Sequence, residues 1–188
     1  MKKRVGVLAL QGDFEAHRAA LARAGADAVE VRTPSELKEV QGLIIPGGES
    51  TTMLKLLDTA ELRESLQEFG KTKPIFGTCA GAILLAKRVT NPLQESLGLI
   101  DIEVERNAYG RQLDSRVVRL RPEFEGGDVE AVFIRAPIIR NVGAGAKVLM
   151  TYNGDPVLVE EGRHMVTTFH PELGTDDRIH RMFLDKVE

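Results

Sequence analysis

The spacing of hydrophobic positions changes character along this chain. Residues 5–10 form an unbroken apolar run of strand length, the pattern of a strand buried on both faces. Gln11-Gly12-Asp13 interrupts it, and Asp13 is placed to cap a helix carrying Phe14, His17, Leu21 and Ala24 on one face until Gly25 ends it. Apolar runs at 28–31 and 42–45 predict two more strands, the second stopped by Pro46-Gly47-Gly48. Residues 51–57 and 61–69 recur at helical spacing. Residues 74–76 predict a fourth strand, and a helical pattern over 80–86 follows at once. This alternation predicts a parallel sheet covered by helices.

Beyond residue 90 the helical period fades. Strands are predicted over 100–105, 115–120, 129–134 and 147–152. Asn153-Gly154 is a hairpin signal and Glu161-Gly162 a second turn, which makes 157–160 and 165–169 antiparallel neighbours. A last helix from Asp176 places Ile179, Met182, Phe183 and Val187 on one face. No repeat, low-complexity stretch or linker divides the chain. The expected fold is one α/β domain over residues 1–188. It is a three-layer, flavodoxin-like or Rossmann-like mixed sheet with a parallel N-terminal half and antiparallel C-terminal strands.

Composition narrows the function classes. The chain is 43% hydrophobic and 28% charged, ordinary values for a globular protein. A net charge of -3, no tryptophan and no basic cluster interleaved with aromatics argue against nucleic acid and anionic membranes as partners. One cysteine cannot close an internal disulfide and suits a reducing compartment. The basic start Met1-Lys2-Lys3-Arg4 precedes an apolar stretch too short for a leader, and no run is long enough to span a membrane. The cytoplasm is the expected location.

That single cysteine lies in Gly77-Thr78-Cys79-Ala80-Gly81, between a predicted strand and a predicted helix. Gly-x-Cys-x-Gly in this position is the thiol form of a nucleophile elbow. A sharp turn strains the nucleophile's backbone, glycines two residues away on either side make room, and the following helix favours a thiolate and a developing oxyanion. A nucleophile of this kind needs a base and a group to orient it. His17 reads as a packing residue on the first helix, His164 as a surface residue after a turn, and His180 as exposed beside the last helix's apolar stripe. His170 ends a predicted strand in His170-Pro171-Glu172, and in an extended chain residues 170 and 172 face the same side. Glu172 would then fix the imidazole tautomer while the other nitrogen faces Cys79. Gly47-Gly48 can aim N–H groups into a cleft beside that of Ala80, or form an ordinary turn. Arg106 and Arg135 can clamp a carboxylate, or form surface ion pairs.

Taken in order, these segments resemble the class I, or triad, glutamine amidotransferases, and within them the glutaminase subunits of pyridoxal 5′-phosphate synthase. The likeness is carried by Leu10-Gln11-Gly12-Asp13, Pro46-Gly47-Gly48-Glu49-Ser50-Thr51, the elbow, Arg106-Asn107-Ala108-Tyr109-Gly110-Arg111, Phe133-Ile134-Arg135-Ala136-Pro137 and His170-Pro171-Glu172. One departure is Arg116 after Asp114-Ser115, where the family usually has an aromatic. The resemblance implies one glutaminase domain that hydrolyses L-glutamine through a Cys79 thioester, with His170 as base and Glu172 orienting it. It implies glutamine binding by Gly47, Gly48, Glu49, Arg106, Ile134 and Arg135. Gly48 and Ala80 would hold the oxyanion, with Gln11 acting indirectly. No metal and no cofactor are implied. Ammonia would pass to a ring-forming synthase subunit in a large hetero-oligomer, whose product is pyridoxal 5′-phosphate. Hydrolase and lyase chemistry are both implied. Other readings are a stand-alone γ-glutamyl hydrolase, a cysteine peptidase, or a partner-binding module without chemistry.

Overall fold

The computed structural model describes residues 1–108 and 115–188, so Tyr109-Gly110-Arg111 and Asp114 of the segments above lie outside the described residues. The first half alternates as the pattern predicts: β1 (Arg4–Leu8), α1 (Phe14–Arg23), β2 (Asp27–Val31), α2 (Pro34–Lys38), β3 (Gly42–Ile45), α3 (Ser50–Thr59), α4 (Arg63–Thr72), β4 (Ile75–Thr78) and α5 (Ala80–Leu85). The Asp13 carboxylate caps α1 by accepting from Ala16 N–H at 3.1 Å. Helix α2 is too short to show a period. A reciprocal capping box starts it, in which Thr33 Oγ1 accepts from Glu36 N–H while the Glu36 carboxylate accepts from Thr33 N–H.

The second half adds β5 (Ala86–Thr90), β6 (Ile100–Glu105), β7 (Ser115–Leu120), β8 (Val129–Ile134), β9 (Ile138–Val142), β10 (Lys147–Tyr152), β11 (Asp155–Glu161), β12 (His164–Thr167) and α6 (Arg178–Lys186). The main sheet has seven strands in the order β10-β11-β12-β4-β3-β1-β2. Its β2, β1, β3, β4 and β12 run parallel, and β11 and β10 return antiparallel. The β10–β11 turn is Asn153-Gly154 as expected, with φ of 51° and 84°. Pairing sends the remaining strands elsewhere: β5, β6 and β9 form one small sheet, and β7 and β8 another. Although it lies among the late strands, β12 pairs parallel with β4, and all four of its residues are buried, as a central strand requires.

Alternation along the central strands makes the three layers. Val7, Ile44, Phe76 and Met165 pack with Leu21 of α1 and Ile179 and Phe183 of α6. Leu8, Leu43, Ile45, Ile75 and Val166 face the other way, with Met53 and Leu57 of α3, Leu66 of α4 and Ile83 of α5. Two histidines fall into these layers against expectation. His164 is buried, its Nδ1 accepting from Ile75 N–H at 3.1 Å and its Nε2 bonding the Gly70 carbonyl at 2.9 Å. His180 is fully buried, edge-on to Phe76 at 6.0 Å. Sequence periodicity misplaces both because it ranks histidine as polar. Here each ring finds polar partners inside. Among the described residues no helix is long and apolar enough to cross a membrane.

Four parallel strands end side by side, and the segment leaving each one carries a singled-out residue. Gln11 follows β1, Gly47-Gly48 follows β3, Cys79 follows β4, and His170 follows β12. The carboxyl ends of parallel strands are where α/β folds place their clefts.

Candidate active site

Cys79 is the one residue between β4 and α5, and its backbone sits at φ 52°, ψ −107°. A side chain there is strained by about 1–3 kcal/mol, so the surroundings must hold it. They do so through the backbone. Cys79 N–H bonds the Thr167 carbonyl at 2.9 Å, and the Cys79 carbonyl accepts from Ala82 and Ile83 N–H at 3.0 and 3.3 Å. Both flanking glycines are required sterically. A Cβ on Gly77 would stand 2.5 Å from the Gly81 carbonyl, and one on Gly81 would run into the Ile45 carbonyl oxygen.

The parallel register pairs Thr78 with Thr167, which brings the residues beyond them together. Cys79 acts electrostatically on His170 from one side, and on the other His170 Nδ1 lies 2.7 Å from Glu172 Oε1. The chain from Pro171 to Leu173 is a 3-10 turn, not the extended segment expected from sequence. Glu172 therefore reaches His170 by doubling back. Its side chain is 1% exposed, against 13% for His170. Burial opposes a charge on His170, but hydrogen bonds to Cys79 and Glu172, and their charges, outweigh it and raise the pKa to about 10. The imidazolium is the resting form at neutral pH.

A raised folded-state pKa adds stability that is complete below the ordinary histidine value of 6.5 and is lost as pH rises through about 10. Denaturant unfolding at pH 6, 8 and 10 is expected to show that decline. Glu172→Gln removes one charged acceptor. NMR titration should place His170 of that variant below its wild-type value, and an unchanged titration would count against the coupling.

The cleft over this group has a volume of about 680 Å³. Cys79, Ala80, His170, Glu172, Gln11, Gly47, Gly48, Glu49, Arg106, Ile134 and Arg135 all line it, so every residue singled out from sequence lies on one wall or another. Gly47 must be glycine, because a Cβ there would stand 2.7 Å from His170 Cε1 and 3.3 Å from Cys79 Cβ. Gly48 has φ 148°, and Gln11 Oε1 lies across it to accept from Glu49 N–H at 2.9 Å. The Glu49 carboxylate caps α3 through Thr51 and Thr52 and also meets Arg106 Nη2 at 3.3 Å. Burial pushes its pKa up, yet the bonds from Thr52 and Thr51 bring it down to about 2. Arg106 also donates to Thr51 Oγ1 at 2.8 Å, which fixes the guanidinium at the rim. Arg135 takes φ 44°, a second strained residue at the same cleft. Gly12, Asp13, Ser50, Ile83, Asn107, Ala136 and Pro137 complete the lining, and sequence reasoning assigns none of them a role in the site. Asn107 and Pro137 stood beside the chosen arginines, and no separate signal marked Ile83.

Comparisons with known proteins place the chain in a family. The family model described as "SNO glutamine amidotransferase family" matches residues 7–188. A protein of Solibacter usitatus named pyridoxal 5′-phosphate synthase subunit PdxT is 63% identical, with 98% of this chain and 100% of that protein covered. A protein of the same name from Koribacter versatilis is 55% identical over 98% of this chain and 95% of its own length. A crystal structure of a glutamine amidotransferase superposes with a TM-score of 0.89 at 47% identity, covering 97% of each chain. PurLQS from Thermotoga maritima superposes with a TM-score of 0.73 at 17% identity, covering 98% of this chain and 99% of its own, and shows the shared fold alone. The expectation of lyase chemistry is overturned. The matched family is one of amidotransferases, and a thiol, an imidazole and a carboxylate in one cleft are parts for acyl transfer to water.

Proposed function

Because the chain belongs to the SNO glutamine amidotransferase family, we infer that it hydrolyses L-glutamine to L-glutamate and ammonia and delivers the ammonia to a synthase subunit that makes pyridoxal 5′-phosphate. The observation that carries this reading is the Cys79–His170–Glu172 relay in a cleft of about 680 Å³.

The sulfur of Cys79 attacks the side-chain amide carbon of glutamine. Ala80 N–H and Gly48 face the oxyanion, and Gln11 supports them indirectly through its bond to Glu49 N–H. The C–N bond breaks as the His170 imidazolium gives its proton to the nitrogen, which leaves as ammonia. Neutral His170 then takes a proton from water, the hydroxide attacks the thioester, and the C–S bond breaks to release glutamate. Glu172 keeps the imidazole in one orientation throughout. Gly47 and Gly48 accommodate the amide end of the substrate. Arg106, with Glu49 beside it, and the Ile134-Arg135 strand end hold the amino-acid end, where Arg106 and Arg135 face a carboxylate. The chemistry asks for no metal and no cofactor, and pyridoxal 5′-phosphate is the product of the complex. The partner is the synthase subunit, in a large hetero-oligomer located in the cytoplasm.

The test is ammonia release from glutamine by the chain alone and with the synthase subunit. Weak activity alone and a clear rise on adding the partner are expected. Full activity without a partner would favour an independent γ-glutamyl hydrolase. No ammonia in either case would favour a binding module.

A further inference from the structure

A second layer of buried polar groups lies directly beneath the relay. His17 of α1 and His180 of α6 are both fully buried. His17 Nδ1 is 3.0 Å from His180 Nε2, and the rings lie 5.3 Å apart between centroids. His17 Nε2 is 3.1 Å from Thr78 Oγ1, on the residue before the nucleophile, and 3.4 Å from Glu172 Oε2. The other Glu172 oxygen is taken by His170. Oε2 itself is buried and has no hydrogen-bond partner. A buried carboxylate oxygen is costly to leave bare, and His17 Nε2 is the nitrogen facing it.

The 3.4 Å contact is not an ion pair. Burial first, then the positions of His180 and His170, hold the His17 pKa well below the ordinary value, so the ring is neutral. Burial likewise lowers His180 to about 4, with Asp177 raising it and Arg23 lowering it. Two neutral rings allow two proton arrangements. If His17 carries its proton on Nδ1, it donates to His180 Nε2. The His180 proton then sits on Nδ1, a buried atom with no acceptor, and Glu172 Oε2 stays bare. If His180 carries its proton on Nε2, it donates to His17 Nδ1. His17 Nε2–H then lies 3.1 Å from Thr78 Oγ1 and 3.4 Å from Glu172 Oε2, and His180 Nδ1 carries a lone pair in place of an unmatched N–H. The second arrangement puts a donor beside the bare carboxylate oxygen, and an unmatched lone pair is cheaper than an orphaned N–H.

We propose that His17 is a positioning residue of the catalytic centre, which donates Nε2–H to Glu172 Oε2 from the buried side, is locked in that tautomer by His180, and so holds the carboxylate that aligns His170. The inference rests on the glutaminase reading above. Its physical basis is the short 3-10 turn that carries Glu172. One bonded oxygen leaves a carboxylate free to turn about that bond, whereas two oxygens held from opposite sides fix it. His17 does not line the cleft, so its effect belongs in turnover and not in glutamine binding.

The test uses the full chain with its synthase partner and compares wild type with His17→Leu, His17→Gln and His180→Phe. His17→Leu keeps most of the volume and removes the donor. Its kcat is expected to fall about 30-fold, within the range for losing an outer partner of a site, with KM within about 2-fold. His17→Gln puts an amide N–H near the Nε2 position and should recover most of the loss. His180→Phe should lower kcat in the same direction by less. Unchanged kcat in His17→Leu, or His17→Gln as poor as leucine, would overturn the proposal. Nitrogen-15 NMR of the wild type, which needs no variant to fold, should show both rings neutral and protonated on Nε2; an Nδ1 proton on His17 would equally overturn it. A wild type without glutaminase activity would remove the underlying reading, while the NMR result would still judge the His17–Glu172 contact.

Discussion

Cys79→Ala is expected to abolish ammonia release, lowering the rate by at least about 10⁴-fold, while the protein stays folded. The rate falls because no other group in the described cleft can form the thioester. His170 and Glu172 without the sulfur are a base with nothing to deprotonate but water. Folding is spared because the sulfur is small and the turn is held by backbone bonds to Thr167, Ala82 and Ile83. A reactive glutamine analogue should label wild type at Cys79 and leave the variant unlabelled. Residual ammonia release by Cys79→Ala at more than about one per cent of wild type would refute the thioester route. The backbone makes a companion prediction. Cys79 sits at φ 52°, so Cys79→Gly should be more stable than Cys79→Ala by about 1 kcal/mol in denaturant unfolding. Equal stabilities would mean that the turn stores no strain.

The second large effect concerns Gly81. A Cβ at this position meets the Ile45 carbonyl oxygen and lies 3.0 Å from the Ile45 carbonyl carbon. Both atoms belong to the backbone of a central strand, and α5 cannot retreat without opening the layer that holds Ile83. Gly81→Ala is therefore expected to destabilise the fold by about 3 kcal/mol or more, although alanine is the better helix former. The comparison is Gly174→Ala. That glycine has φ −95°, and its nearest neighbour would be 3.6 Å from an added methyl. Gly174→Ala should change stability by no more than about 0.5 kcal/mol. If the two variants unfold alike, close packing of α5 on β3 is not what selects glycine in the elbow.

Gly77 and Gly81 show why the elbow could be read from sequence. A strand of three or four apolar residues, a nucleophile and a helix in direct succession leave few conformations open, and the flanking residues are those that the geometry demands. The β3 strand was legible for a related reason: it is buried on both faces, so Gly42-Leu43-Ile44-Ile45 is a continuous apolar run. The β9 strand was not legible. Only Ile138 and Ile139 are buried while Arg140 and Asn141 are exposed, and so few apolar positions set no period. α2 carried a local signal in Thr33-Pro34-Ser35-Glu36, but five residues cannot show a helical repeat. Pairing was the harder problem. Nothing local says that β12 joins β4 in parallel while β7 and β8 leave the main sheet, since that choice depends on which surfaces the helices leave open. At the site, Glu172 was found for a reason that does not apply. The spacing of two suggested an extended chain, and a 3-10 turn performs the same approach. His17 reads as packing because it lies on an apolar helix face, and His180 reads as exposed because it lies beside one; only the carboxylate behind them shows a polar layer.

The nucleophile ends β4 and its base follows β12, strands that lie side by side in the sheet but far apart along the chain. A nascent polypeptide that has completed only its first half has neither His170 nor the Thr167 carbonyl that bonds Cys79 N–H. The thiol is then no better armed than any other cysteine while the ribosome is still at work. Reactivity switches on only when β12 slots against β4, the same event that seals the middle of the sheet. The strand pairing that closes the middle of the sheet is thus also what brings the base to the nucleophile.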